Sequence, residues 1–265
     1  MKKETYESLE QFLYRIAQPV DRNICKDEES KTGKESFCGS SSLEESIQIA
    51  RDGKDVESVL LGIDSICGNG NEISSVYDVA GGCVDIGSYL TNDPCCMIDF
   101  VSQNNQRMVD VYIDPCENGG VGSDVFRNKS IVAASLVDKL ESDGYRCRVV
   151  VMLRVDASRA NKGIYYAEIC IKNYHQNLSI GQIVGCCSQS FFRRIGFAWI
   201  ERMFAEDECN ASDYGYGRSY PLKDNEIDNN TIVVSNTNSG GIYNSIDDAK
   251  QSVTKLINNY KLKNS

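Results

Sequence analysis

The residues of this chain that could do chemistry are few and scattered. Four carboxylates, Asp99, Asp110, Asp114 and Glu117, fall in or beside apolar runs that read as strands, and two or three of them converging could hold Mg²⁺ and orient a water toward a phosphate. Asp114 ends an apolar run. It leads through Pro115, Cys116, Glu117, Asn118 and two glycines to Ser123, where a helix begins. A carboxylate at a strand end, next to a Gly-rich loop and a helix N-terminus, is where open α/β sheets tend to place ligands, so Asp114, Glu117, Asn118 and Ser123 are the candidate ligand-binding residues. Asp99 and Asp110 lie inside strand patterns, where a carboxylate more often marks an exposed face or edge.

A second set could grip phosphate, stack a base or meet a protein partner. It comprises Arg193, Arg194 and the Tyr214-Gly-Tyr216-Gly-Arg218 run, which together form the candidate interaction surface. The structural alternatives are a solvated helix face with local ion pairs for the arginines and an ordered turn for the tyrosines. The glycines at 81, 82 and 87 lack the order and the strand-to-helix setting of a dinucleotide loop.

No nucleophile and base stand together in sequence. The chain has 12 cysteines and a single histidine, His175. Cys147 and Cys170 fall within strand patterns, Cys95-Cys96 and Cys186-Cys187 are adjacent pairs, and no C-x-x-C occurs, so a Cys/His zinc site is poorly supported. The reading is free thiols acting as small hydrophobes in a reducing compartment, with no metal and no cofactor expected.

The elements that must position these groups are clearest between residues 123 and 174. Ser123 and Asp124 open a helix whose stripe is Val125, Val132, Leu136 and Leu140, with Gly144 suited to a left-handed C-terminal position. Residues 146–155 then alternate, with Cys147, Val149, Val151, Leu153 and Val155 on one face, the pattern of an interior strand covered on both sides near its centre. Residues 164–172 alternate after a short polar loop, which predicts an antiparallel hairpin. Further strands are expected at 97–101 and 108–113, paired as a hairpin, and at 231–235.

Helices are expected from Leu9 to Ala17, from a capping box at Ser42 and Glu45 to Gly53, and over 56–66. Others should start at Ile180, follow a Ser190 cap through Phe192, Ile195, Trp199 and Met203, and follow a Ser245 cap with Ala249, Val253, Leu256, Ile257 and Tyr260 inward. Trp199 reads as core.

The fold class is therefore α/β, a mixed β-sheet flanked by helices in a layered sandwich. Strand 108–113 should run parallel to 146–155, because the helix between them makes a right-handed crossover, and 164–172 antiparallel to it. Residues 1–36 form an N-terminal helix and polar loop. Residues 37–265 form a single domain in which 37–100 wrap the core.

Lysine and arginine number 28 against 38 acidic residues in 265, a net charge of −10 that opposes broad contact with nucleic acid or an anionic membrane. No apolar run approaches the roughly 20 residues a bilayer needs. The first residues lack a continuous apolar signal core, so a cytoplasmic location, with possible association with a virion, is expected.

Four segments carry a resemblance: Phe37-Cys-Gly-Ser-Ser-Ser-Leu-Glu-Glu-Ser-Ile-Gln-Ile-Ala-Arg-Asp-Gly53, Asn92-Asp-Pro-Cys-Cys-Met97, the helix through Ala133 to Glu141 with Gly144-Tyr-Arg146, and Phe192-Arg-Arg-Ile-Gly-Phe197 with Glu201. They resemble an uncharacterised family encoded mainly by bacteriophages and plasmids, which implies a phage or mobile-element origin and no particular reaction. The order of strand, Asp114, Ser123, helix and strand has a weak likeness to a von Willebrand factor A-type domain. Such domains bind a divalent ion through an Asp-x-Ser-x-Ser loop, whose serines are replaced here by Cys116 and Asn118.

The function these observations favour is non-enzymatic binding of a host or phage protein, as a scaffold, virion component or inhibitor of a host system. The alternatives are a metal-assisted nucleotide or phosphodiester hydrolase using the strand-end carboxylates, and a nucleic-acid-binding protein using the arginines and tyrosines.

Overall fold

A computed structural model of the chain describes residues 2–19, 29–67, 75–78, 83–91, 93–100, 107–156, 163–206, 218–219, 228 and 230–263. The chain is an α/β fold built on a mixed sheet of five strands: β1 (Lys2–Tyr6), β5 (Arg107–Ile113), β6 (Tyr145–Asp156), β7 (Ile164–Lys172) and β9 (Thr231–Val234), in the order β1-β7-β6-β5-β9. A two-residue strand, β8 (Arg218–Ser219), pairs with the end of β6 at Val155 and Asp156. As the crossover argument requires, β5 and β6 are parallel and β6 and β7 antiparallel.

One face of the sheet is apolar. Val109, Val111 and Ile113 on β5, the odd-numbered residues 147–155 on β6, Tyr165, Ala167 and Ile169 on β7, and Ile232 and Val234 on β9 are all buried. The flanking helices share their two apolar cores with this face. Helix α1 (Leu9–Ala17) and α9 (Phe197–Glu206) meet it near β6 and β7, and α5 (Val56–Cys67), α7 (Ser123–Ser142) and α10 (Ile246–Lys263) meet it near β5 and β9. Trp199 is core, 1 % exposed, with its indole N–H donated to Glu4. On the opposite face Asp110 and Arg148 stand side by side in register, and Val150 and Met152 are buried at mid-strand.

Two short helices, α2 (Glu29–Thr32) and α3 (Glu35–Cys38), precede α4 (Leu43–Asp52). Ser42 caps α4 by accepting the Glu45 N–H at 3.0 Å, but the Glu45 carboxylate turns to the Ser41 N–H and hydroxyl, so the box closes one residue early. Helix α8 (Ile180–Cys186) crosses α4 at very short range. A Cβ on Gly181 would lie 2.5 Å from the Asp52 carbonyl oxygen, and one on Gly185 2.1 Å from that of Ile49, so only glycine permits the crossing.

Three sequence expectations change. The run 97–101 does not pair with 108–113: β4 (Met97–Phe100) lies between β2 (Ser75–Asp78) and β3 (Cys83–Val84) in a separate three-stranded sheet beside α6 (Ile86–Leu90). The partners of β5 are β6, a twelve-residue strand whose odd-numbered face is apolar, and β9, whose Ile232 and Val234 continue that face beside Val111 and Ile113. Ser190 makes no side-chain cap. It precedes a π-helical turn, Phe191–Gly196, that runs directly into α9. Lys2–Tyr6, placed above within an N-terminal helix and polar loop, is an edge strand parallel to β7; its five mostly polar residues carry little apolar alternation to reveal it.

Candidate functional site

The parallel strands β5 and β9 end side by side, and the chain leaves β5 for α7 and β6 on the other flank. This is the crevice at which α/β sheets ordinarily receive ligands. Here the chain's own side chains fill it. Asp114 ends β5, Glu117 follows in the loop, Lys129 reaches in from the second turn of α7, and Asn236 and Thr237 follow β9. Asp114, Glu117, Lys129 and Asn236 are each 2 % exposed or less.

The Lys129 ammonium donates to the Asp114 carbonyl oxygen at 2.7 Å and to the Glu117 carboxylate, and lies 5.5 Å from the centre of the Tyr243 ring. Asn236 donates its amide to Asp114 Oδ2 at 2.8 Å and to Ser219 Oγ at 2.6 Å, while the Cys116 N–H takes Asp114 Oδ1 at 2.9 Å. The Glu117 carboxylate also accepts the Thr237 N–H at 3.0 Å and its hydroxyl at 2.5 Å. Both carboxylates are thus satisfied from within, as buried charges must be.

Burial pushes the Asp114 carboxyl up to about 6, against the pull of Lys129 and the Cys116 N–H and with a further push from Glu117. Burial likewise raises the Cys116 thiol, helped by Asp114, and lifts the Cys187 thiol to about 12. Neither thiol is a thiolate near neutrality, so neither is an activated nucleophile.

The four carboxylates proposed from sequence do not converge. Asp99 belongs to β4 in the separate sheet. Asp110 holds Arg148 through two hydrogen bonds of 2.9 and 2.6 Å and accepts the Tyr174 hydroxyl at 2.5 Å, on the sheet face opposite Val109 and Val111. Asp114 and Glu117 alone come together, and they do so around an ammonium. A buried cation at that point opposes a divalent ion electrostatically. Among the described residues no group of three His, Cys, Asp or Glu side chains is placed to hold a metal.

Asn118 and Ser123 stand apart from this centre. Asn118 is exposed and donates to Asn238 at 2.6 Å, tying the loop after β5 to the loop after β9. Ser123 is exposed on the first turn of α7, where it lines an open cleft of about 1230 Å³ with Asp124, Arg127, Glu57 and Ser188.

Arg193 and Arg194 are interior residues rather than a solvated face or a phosphate grip. They are 2 % and 1 % exposed. Arg193 donates to the carbonyls of Phe37, Asn118, Gly119 and Val121 and lies 4.6 Å from the centre of the Phe37 ring. Arg194 donates to those of Ser30, Lys31, Gly33, Ser40 and Ser41. Their helix is buried on every side over residues 191–202, and both guanidinium groups satisfy loop carbonyls that would otherwise be buried unpaired. Tyr214 and Tyr216 lie outside the described residues, and Arg218 contributes its backbone to β8.

The model of one family, Domain of unknown function (DUF7192), matches residues 2–263. The chain belongs to the DUF7192 family. No curated protein and no solved structure matches it. For this DUF7192 member, no described helix is long and apolar enough to cross a membrane.

Sequence reasoning missed Lys129, Asn236, Thr237 and Tyr243. Lys129 sits on the apolar stripe of α7, four residues after Val125 and three before Val132, and a lysine at that position was the available signal. Asn236 followed an apolar strand as Asp114 does, and the parallel between the two strand ends could have paired them.

Proposed function

We propose that this protein is a non-enzymatic protein of phage or mobile-element origin that works by binding another protein, as a scaffold, a virion component or an inhibitor of a host system. The observation that carries this reading is the closure of the strand-end crevice. Asp114 and Glu117 are buried and bound to Lys129, Asn236 and Thr237, leaving no carboxylate there to meet a substrate. Origin rests on the resemblance of the segments at 37–53, 92–97, 133–146 and 192–197 to phage and plasmid sequences. The net charge of −10 disfavours nucleic acid as the partner.

A surface suited to a protein partner is present on the small sheet and α6. Val84, Ile86, Tyr89 and Leu90 are 49, 70, 63 and 73 % exposed within seven consecutive residues. Exposed apolar clusters of this kind commonly mark contact sites.

Two measurements test the reading. The purified chain, incubated with nucleotides or a phosphodiester and with Mg²⁺ or Mn²⁺, should show no steady turnover above the Asp114→Ala variant. Turnover that Asp114→Ala abolishes would overturn the proposal. Cross-linking in lysate of the host or of infected cells should identify a protein whose capture falls when Leu90 is replaced by Asp.

A further inference from the structure

Among the described strands none pairs with the outer edge of β9. Asp110 and Asp114 donate their N–H groups to the carbonyls of Asn230 and Val234, so the even-numbered residues of β9 direct their backbone toward β5. Strand alternation turns the odd-numbered residues outward. On that outer side the Thr231 N–H is taken by the Asp228 carbonyl at 3.0 Å, and the Ser235 carbonyl by the Tyr243 hydroxyl at 2.6 Å. The N–H and C=O of Val233 remain, without a hydrogen bond to any described residue.

Beside this edge lies a groove of about 330 Å³ between Val233 and Ser235 on one wall and α10 on the other. The α10 wall presents Asp248, Gln251, Ser252, Lys255 and Asn259, positions that recur at helical spacing along one stripe, with Leu256 partly buried beneath them. Edges of this kind are commonly blunted by charge, proline or a covering element. Among the described residues none of these stands at the centre of the edge, Val233, and the groove continues it.

We propose that this groove docks an extended segment of a partner polypeptide, which adds to β9 as a further strand of the main sheet. The proposal rests on the protein-binding reading above and names the chemistry of the partner. Backbone hydrogen bonds to Val233 would supply register, and the amide and hydroxyl side chains of α10 would meet the polar groups of the incoming strand's outer side. Asp248 and Lys255 in one groove fit a segment carrying both charge signs rather than a uniformly basic or acidic one.

The probe is a displayed library of randomised short peptides panned against the full chain. Enriched peptides should slow amide exchange at Val233. They should lose at least about tenfold in affinity to Val233→Pro, which removes an outward N–H without touching the β5 ladder, and to Gln251→Trp, which fills the groove from an exposed position. The second variant keeps the test decisive if the first folds poorly. Peptides that bind both variants as well as the parent, peptides that leave the Val233 amide unprotected, or a library with no enrichment would each overturn the groove. If a cross-linked partner is lost on Leu90→Asp but bound normally by Gln251→Trp, the groove fails while the protein-binding reading stands. If no partner is captured by any route, the reading itself fails.

Discussion

Replacing Lys129 by Met tests whether the filled crevice is held together by its internal cation. The ammonium is fully buried and serves both the Glu117 carboxylate and the Asp114 carbonyl. Methionine keeps much of the volume and apolar stem, so the loss is electrostatic: two carboxylates stay in the interior with hydrogen-bond donors but no close counter-charge. Removing one partner of a buried pair costs about 3–5 kcal/mol, against a total stability of about 5–15 kcal/mol for a domain. At about 2–4 °C per kcal/mol the melting temperature should fall by about 6–20 °C.

The penalty should also depend on pH. Without Lys129 the Asp114 carboxyl, already raised by burial, becomes harder still to ionise, so the unfolded state holds fewer protons than the folded state across the range between its unfolded and folded values. Stability is then lost as pH rises through that range, and the deficit relative to the parent should be smaller at about pH 5 than at about pH 8. Adding Glu117→Gln to Lys129→Met should recover a large part of the loss, giving a coupling of at least about 2 kcal/mol in a double-mutant cycle. Chemical denaturation at both pH values measures all three quantities. A loss below about 1 kcal/mol, no change with pH, or strict additivity in the cycle would refute the account of Lys129 as the cation on which the crevice depends.

Three further outcomes follow from the same geometry. Asp114, raised from 3.8 to about 6, favours the fold most fully below its unfolded value and loses that contribution as pH rises through 6; the parent should lose about 3 kcal/mol across this window that Asp114→Asn does not, read as the difference between the two stability-against-pH curves. Gly185→Ala places a Cβ against the Ile49 and Ala50 carbonyls and should destabilise by about 3 kcal/mol or more through the α4–α8 crossing, with Gln182→Ala on the same helix as the near-neutral control in thermal melts. Arg193→Lys keeps the charge but loses the fork that reaches four carbonyls, and should cost roughly 2–3 kcal/mol, with faster amide exchange in residues 118–121; exchange unchanged there would count against the clamp.

Periodicity made the central sheet readable. The alternation of 146–155 and of 164–172, and the stripe of α7, each encode a buried face in one continuous segment, and the register and direction of β5, β6 and β7 follow from them with the handedness of the crossover. Elements whose identity depends on a distant partner were less readable. Lys2–Tyr6 is a strand because β7 offers an edge, and 97–100 pairs with β2 and β3 while both sides of β5 are taken by β6 and β9; neither fact is written in the segment itself. Gly181 and Gly185, four apart on α8, did carry a local sign of a close helix crossing, although not of which helix would be crossed.

The arginines show the same division in chemical terms. Arg193 and Arg194 have a composition suited equally to a phosphate site and to a carbonyl clamp, and only the burial of their helix decides between them. Residues 191–202 are buried on every side of the helix, so two successive side chains both meet loop carbonyls, where a helix lying on the surface would place at least one in solvent. Asp114 was found from sequence because a carboxylate after an apolar run is conspicuous. Its meaning was set by Lys129 on α7 and Asn236 beyond β9, residues 15 and 122 positions away that only the parallel ends of β5 and β9 bring to the same point. A polar residue at a strand end therefore marks a crevice, and whether that crevice binds a ligand or closes on itself depends on what the neighbouring elements insert into it.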